Sequence, residues 1–273
     1  MNKGGKIAVI LGIVVIGALV LAGSGSALLA KGAGLEGRFG LAGMAVQIKD
    51  RIESVFSGRN VRDDAQKLVF FEEIGYDDKT NKGTMDISLG ACSLDVAATE
   101  DQAASIRSTI GDIKVLKGGD SDGRLTIAIT EDEVLGKIGE VNRLTEIDMG
   151  TGMTWKVHVD TGASRLKMDL RDVAVERLEV EAGAGGVNIR LGERTSETEV
   201  AITGGISSIA INVPEGAAVR IVKENGLSGV DYGTAGLVKI GEGVYESPGF
   251  EDAPSRITIR LSTGLSGIRL MRE

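Results

Sequence analysis

Cysteine and histidine occur once each in the 273 residues, as Cys92 and His158. A single cysteine excludes an internal disulfide framework and any four-cysteine metal site. A single histidine excludes a multi-histidine metal centre and removes most histidine-based catalysis, so no metal and no cofactor is expected. Aromatic residues reach only 3% and prolines number 3, so a core built on ring packing is excluded. Basic residues are outnumbered, 31 against 39 acidic, for a net charge of −8. Only Lys3 and Lys6 are charged before Lys31, so the acidic excess belongs to the body of the chain. An acidic body repels phosphate backbones, and nucleic acid is excluded as a partner. What the chain has in excess is glycine, 40 residues, about twice the usual share of roughly 7%. With 42% apolar and 26% charged residues, the composition is globular, with many tight turns joining thin strands.

The N-terminus is the first positive signal. Met-Asn-Lys-Gly-Gly-Lys precedes an uncharged run from Ile7 to Ala30, 24 residues long. As a helix it would span about 36 Å, enough for a hydrocarbon core of about 30 Å. Lys3 and Lys6 set the N-terminus in the cytoplasm and the remainder outside. The expected location is therefore the cell membrane, single-pass, with residues 1–30 as the anchor. A cleaved signal ending near Gly25-Ser26-Ala27 is the alternative. Ser24 after Leu21-Ala22-Gly23 stands where a lipoprotein needs cysteine, which excludes lipidation there.

Residues 31–82 read as a juxtamembrane segment. Leu41, Met44, Ala45, Ile48, Ile52 and Val55 recur at spacings of three and four, one face of an amphipathic helix. Gln66-Lys67-Leu68-Val69-Phe70-Phe71-Glu72 is a short apolar run with strand propensity, prone to aggregate if exposed. It is expected to be paired or buried.

A repeat decides the fold of residues 83–273. Glycine punctuates Asp160-Thr161-Gly162, Glu181-Ala182-Gly183, Ile202-Thr203-Gly204 and Glu224-Asn225-Gly226 at spacings of 21, 21 and 22 residues. An alternating apolar run precedes and follows each glycine: Val157 and Val159 before Gly162, for example, and Leu166, Met168 and Leu170 after it. The unit recurs around Gly90 and Gly264. Alternation means one face buried and one solvated. A fixed period means that each unit stacks on the next, because none can bury its own face. The predicted architecture is mainly β, a glycine-turned β-solenoid or stacked-sheet domain, with glycines at the turns where φ > 0 is needed. Between Glu131 and Leu144, the positions Val134, Leu135, Ile138 and Val141 follow helical spacing and predict a short helix.

The glycine turns, Val213-Pro214-Glu215-Gly216 and above all Tyr245-Glu246-Ser247-Pro248-Gly249-Phe250-Glu251-Asp252-Ala253-Pro254 resemble the toast-rack domain of LiaF-type envelope-stress proteins and related adhesin domains. The resemblance covers about 148–273 well and 84–130 loosely. It implies a glycine-turned β-stack attached to membrane helices, acting through protein contacts and without catalysis.

A few residues invite chemistry. Val157-His158-Val159-Asp160-Thr161-Gly162-Ala163 matches the Asp-Thr-Gly-Ala signature of aspartic proteases, in which two carboxylates share one proton. One copy would need a homodimer, and the equivalent positions of the other units hold Glu181, Ile202 and Glu224. Asp160 is thereby one instance of a variable position. Asp120-Ser121-Asp122-Gly123 resembles the start of a calcium loop but lacks its central glycine, which favours a hairpin turn. His158 alternates with two valines and points away from the core. Cys92 reads as a small strand residue, with an intermolecular disulfide as the other option. Trp155, the one tryptophan, fills the core or anchors a partner.

These readings describe a non-enzymatic, membrane-anchored, extracytoplasmic interaction module that engages the membrane through residues 7–30 and an envelope protein through its β domain. An envelope-stress sensor is the partner that the resemblance suggests. The alternative is a surface protein that self-associates through its strand edges, and the distant one a homodimeric aspartic protease using Asp160.

Overall fold

The computed structural model describes residues 68–76, 79–120, 122–131, 143–205, 207–224, 229–232, 235–264 and 266–273. The expected anchor, the amphipathic helix over 41–55 and residues 132–142 of the expected short helix lie outside them, as does Gly226. The ends of that last segment are strand residues: Glu131 closes one strand and Leu144 opens the next.

Alternating apolar positions become strands throughout. In chain order they are β1 (Phe70–Ile74), β2 (Lys82–Leu89), β3 (Ser93–Thr99), β4 (Ala104–Ser108), β5 (Ile113–Gly119), β6 (Arg124–Glu131) and β7 (Leu144–Gly150). Two long strands follow, β8 (Thr154–Leu170) and β9 (Ala174–Leu191). The remainder are β10 (Glu197–Gly204), β11 (Ser207–Val213), β12 (Ala218–Glu224), β13 (Gly229–Asp231), β14 (Val238–Gly241), β15 (Val244–Glu246), β16 (Arg256–Thr263) and β17 (Ser266–Arg272).

Hydrogen bonds connect all of the described strands into one sheet, folded over into two layers. The first layer runs β5-β6-β2-β8-β9-β10-β16-β12-β15-β14. The second runs β1-β4-β7-β3-β8-β9-β11-β17-β13. Strands β8 and β9 belong to both, since β8 pairs with β2 through Thr154–Thr161 and with β3 through Arg165–Met168. Each rung thus climbs one layer and descends the other. The rungs β6/β7, β2/β3, β8, β9, β10/β11, β16/β17 and β12/β13 are parallel. Antiparallel strands finish the stack, β5 and the pair β4–β1 at one end and β15–β14 at the other.

Stacking order departs from chain order at both ends. Strands β2 and β3 lie between the later β6/β7 rung and β8. The C-terminal strands β16 and β17 lie between β10/β11 and β12/β13. Arg272 secures this last rung, donating to the carbonyls of Pro214, Ala217 and Ala235 and to Ser247 Oγ at 2.9–3.2 Å.

The core fills the space between the layers with rows of aliphatic side chains and methionines. In the first layer Ile127, Met85, Val157, Leu178, Val200, Ile259 and Ile221 stand side by side on successive rungs. In the second the corresponding row is Ile147, Val96, Met168, Ile189, Ile211 and Leu270. All are buried. β-Branched and unbranched aliphatics suit such ladders because each packs flat against the pleat above and below.

The glycines have a different reason from the one expected. Gly162 and Gly183 lie inside β8 and β9 and make no separate turn. Gly90, Gly162, Gly183, Gly204 and Gly264 are absent from the positive-φ positions, which include Gly123, Gly243 and Gly249. They sit at the corner where the chain passes between layers, and there the main chains of successive rungs nest. A Cβ on Gly183 would stand 2.8 Å from the Gly162 carbonyl oxygen, and one on Gly205 2.8 Å from that of Gly183. On Gly264 it would stand 3.3 Å from the oxygen of Gly205. Close approach requires the missing side chain, and the third member of the column is Gly205 beside the expected Gly204. The corner also explains a change of parity. Val157 and Val159 are buried before Gly162, Leu166 and Met168 after it, so the inner face is carried around the bend.

The 66–72 run is partly as expected. Among the described residues strand β1 pairs with β4 alone, and Phe70 packs on the core, but Phe71 is 59% exposed.

Candidate interaction surface

Trp155 is fully buried, and its indole Nε1 donates to the Gly150 carbonyl at 2.8 Å. Its ring lies against Gly83 of β2, where any Cβ would collide with it. The partner-anchoring option is corrected by this burial: Trp155 is core.

Asp160 stands on the outer side of β8 and is exposed, between Ser88 of β2 and Glu181 of β9. Its Asp-Thr-Gly-Ala sequence is a strand crossing the corner, with Thr161 buried. Two residues earlier on β8, His158 Nδ1 lies 3.6 Å from Glu179 Oε2 on the same outer side. The Asp120 segment is the β5–β6 hairpin: Asp120 Oδ1 accepts from the amides of Asp122 and Arg124, both at 3.0 Å, and Gly123 takes φ 72°. Among the described residues no group of three or more His, Cys, Asp or Glu is placed to hold a metal.

Cys92 is buried at the first corner, and burial pushes its thiol up to about 12. It stays protonated at neutral pH and out of reach of another chain, so the disulfide option does not fit this position. Beside it lies the most buried ion pair described. Arg143 Nη2 meets Glu131 Oε1 at 2.5 Å, Arg143 Nε donates to the Ala91 carbonyl at 2.8 Å, and Glu131 Oε2 accepts from the Gly90 amide at 3.1 Å. The pair ties the two ends of segment 132–142 to the corner. Replacing Glu131 by Ala is expected to destabilise the protein by about 3–5 kcal/mol, because a buried guanidinium loses its counter-charge. Chemical denaturation would read this as a lower midpoint at an unchanged m-value.

The outer faces of the layers carry surface charge pairs such as Arg177 with Glu179 and Glu199, and Arg107 with Glu146 and Asp148. The Arg171 guanidinium, hydrogen-bonded to Asp169, holds that carboxyl below the usual range. Exposed pairs of this sort contribute little stability. An open depression of about 480 Å³ on the second layer is lined by Ser208, Ala210, Asp231, Gly267 and Arg269 and offers only the loose Arg269–Asp231 pair, 3.7 Å apart.

The ends of the stack differ from these faces. At the far end the Tyr232 and Tyr245 rings, centroids 4.4 Å apart, close the gap between layers, and burial with the mutual hydrogen bond pushes the Tyr232 hydroxyl above its ordinary range. Beyond them β14 has one edge unpaired among the described residues and exposes Val238 (54%) and Ile240 (55%). At the near end the edges are β5 and β1. Lys117 shares a register position with core residue Ile127, and Glu72 with core residue Ile106. Both charges therefore point inward, and they meet at 2.8 Å across the two layers. Exposed apolar residues stand near them: Leu116 (65%) on β5, Phe71 (59%) beside exposed Glu73 on β1, and Val69 (53%) and Leu68 (47%) just before β1. The exposed large aliphatic and phenylalanine side chains thus gather at the free strand edges and leave the broad faces polar.

The described residues thus form a stack of nested rungs in two layers whose end strands have unpaired edges. Residues 60–212 match the sequence pattern of the N-terminal domain of toast_rack, DUF2154, and the chain belongs to that family. The matched span ends before Tyr245–Pro254, the run on which the resemblance leaned most. Among solved structures, one described as a "putative cell adhesion protein" from Clostridium sporogenes is 17% identical with a TM-score of 0.67, covering 76% of this chain and all of its own. Another, a "putative adhesin" from Bacteroides fragilis, is 15% identical over 76% of this chain and 98% of its own, with a TM-score of 0.28. The first shares the fold. No curated protein matches the chain. Among the described residues no helix is long and apolar enough to cross a membrane.

Proposed function

We propose that this protein is a non-catalytic interaction module of the cell envelope, tethered to the membrane by residues 7–30 and holding its toast-rack domain outside the cytoplasm. The reading rests above all on one observation. The large exposed apolar side chains, Leu68, Val69, Phe71, Leu116, Val238 and Ile240, lie on or beside strands that have one edge unpaired among the described residues. A free edge offers a row of main-chain donors and acceptors to an added strand, and flanking apolar residues give that strand something to pack on. The tether and the location rest on Lys3, Lys6 and the uncharged run after them. Modulation of an envelope-stress sensor is the finer form of the reading and comes from the family resemblance.

Photocrosslinking the full-length, membrane-inserted chain in cells tests it. Probes placed at Phe71, Leu116 and Ile240 are expected to capture protein, and probes on the polar faces, at Lys156 or Asn188, are not. Equal capture at faces and edges, or none at the edges, would remove the reading.

A further inference from the structure

The near end of the stack carries more than exposed apolar residues. Strand β5 (Ile-Lys-Val-Leu-Lys-Gly-Gly) has two lysines and no acid, and β1 (Phe-Phe-Glu-Glu-Ile) has two glutamates and no base. Among the described strands each is the outermost of its layer. Beyond the last complete rung, β6/β7, the first layer adds one strand, β5, and the second adds two, β4 and β1. The end is therefore stepped, with a basic lower step and an acidic upper one.

We propose that this end is the interface with a second copy of the chain, related by a two-fold axis parallel to the strands, in which β5 of each copy pairs with β1 of the other. This deepens the interaction-module reading and rests on it. Such an axis exchanges the layers, so each single-strand step meets a two-strand step. Three strands then separate the two β6/β7 rungs in either layer, and neither layer is left with a gap. Directions agree as well. Strand β5 runs against the rungs of its layer and β1 with the rungs of the other. Because the chain climbs one layer and descends the other, the two edge strands point the same way and meet in parallel.

The register needs no adjustment. The Lys117–Glu72 contact of 2.8 Å shows that these residues stand at one level along the strands. A two-fold axis parallel to the strands preserves level, so Lys117 arrives beside Glu72 of the partner subunit. On the outer side Leu116 arrives beside Phe71 of the partner subunit, and on the inner side Val115 beside Phe70 of the partner subunit. Apolar meets apolar and cation meets anion at every one of these positions. Other pairings lack this agreement. A copy joined β5 to β5 and β1 to β1 leaves two strands in one layer against four in the other. Strand β14 set against β5 with Ile240 beside Leu116 brings Lys239 opposite Lys117.

The test uses two differently tagged full-length chains co-expressed in the membrane, one with Leu116→Cys and one with Phe71→Cys, oxidised under native conditions. Cys92 is buried and serves as the background. The expected result is a disulfide between the two tagged chains, absent when either variant is expressed alone. Adding Lys117→Glu to both chains should abolish the crosslink, and adding Glu72→Lys as well should restore it, with the circular dichroism of each variant unchanged. A crosslink formed by the Leu116→Cys chain alone, one formed only with an Ile240→Cys chain, or none in any pairing would overturn the proposal. If edge photoprobes still capture a foreign protein when these cysteines do not join, the dimer falls and the interaction module stands. If both fail, both fall.

Discussion

Removing the last strand pair, residues 256–273, is expected to abolish cooperative folding of the C-terminal part of the stack. These residues form an inner rung, hydrogen-bonded to β10/β11 on one side and β12/β13 on the other. They bury Ile257, Ile259, Leu261, Ile268 and Leu270. At roughly 1.5–3 kcal/mol for each fully buried aliphatic side chain, the loss is roughly 7–15 kcal/mol. That equals the whole stability of an ordinary domain, about 5–15 kcal/mol. Truncation also deletes the Arg272 contacts with the loops at Pro214 and Ala235. A chain ending at Ser255, followed by thermal melting and amide exchange, should show no cooperative transition for β10 to β15. A truncated chain that melts within a few degrees of the intact one would contradict the interleaved order.

The second large effect concerns the one tryptophan. Trp155→Ala is expected to cost about 3–5 kcal/mol, the usual range for deleting a buried large aromatic. The ring rests on the bare backbone of Gly83, so on that side there is no side chain to swing into the space. The Gly150 carbonyl loses its indole donor at the same time. Trp155→Phe should cost less, since most of the volume stays and the hydrogen bond accounts for about 1 kcal/mol. Denaturant unfolding of both variants checks the order. Similar losses for Phe and Ala would mean that the hydrogen bond, and not the ring, carries the effect.

Much of the fold could be read in the residues. The alternation Val157, Val159, then Leu166, Met168, Leu170 specifies the inner face, and the recurrence near 21 residues specifies a stack of rungs. Both are local properties of strands half-buried in a common core. The order of rungs was not readable, because every rung presents the same aliphatic row and any could pack on any other. Insertion of β16/β17 between earlier rungs is decided by long-range fit. The glycines were found at the right corner with the wrong reason, since sequence shows that a side chain is missing but not whether φ or a neighbouring carbonyl demands it. Gly183 against the oxygen of Gly162 answers that only in three dimensions. The edge residue Leu116 was missed, and Phe71 was expected to be paired or buried where it is 59% exposed. A signal existed: Lys117 and Glu72 occupy inward positions of their strands, and an inward charge marks a strand with nothing beyond it.

The inner position of the C-terminal rung also governs how the domain meets mechanical load. In a simple solenoid the last strand is the outermost one, and tension on the terminus unzips it bond by bond. Here tension applied through Glu273 acts on β17, which is bonded to β11 along its length and to β13 at Gly267–Arg269. It must shear two ladders together before any strand comes away. A domain held at one point of its chain and pulled at the other would then yield late and all at once.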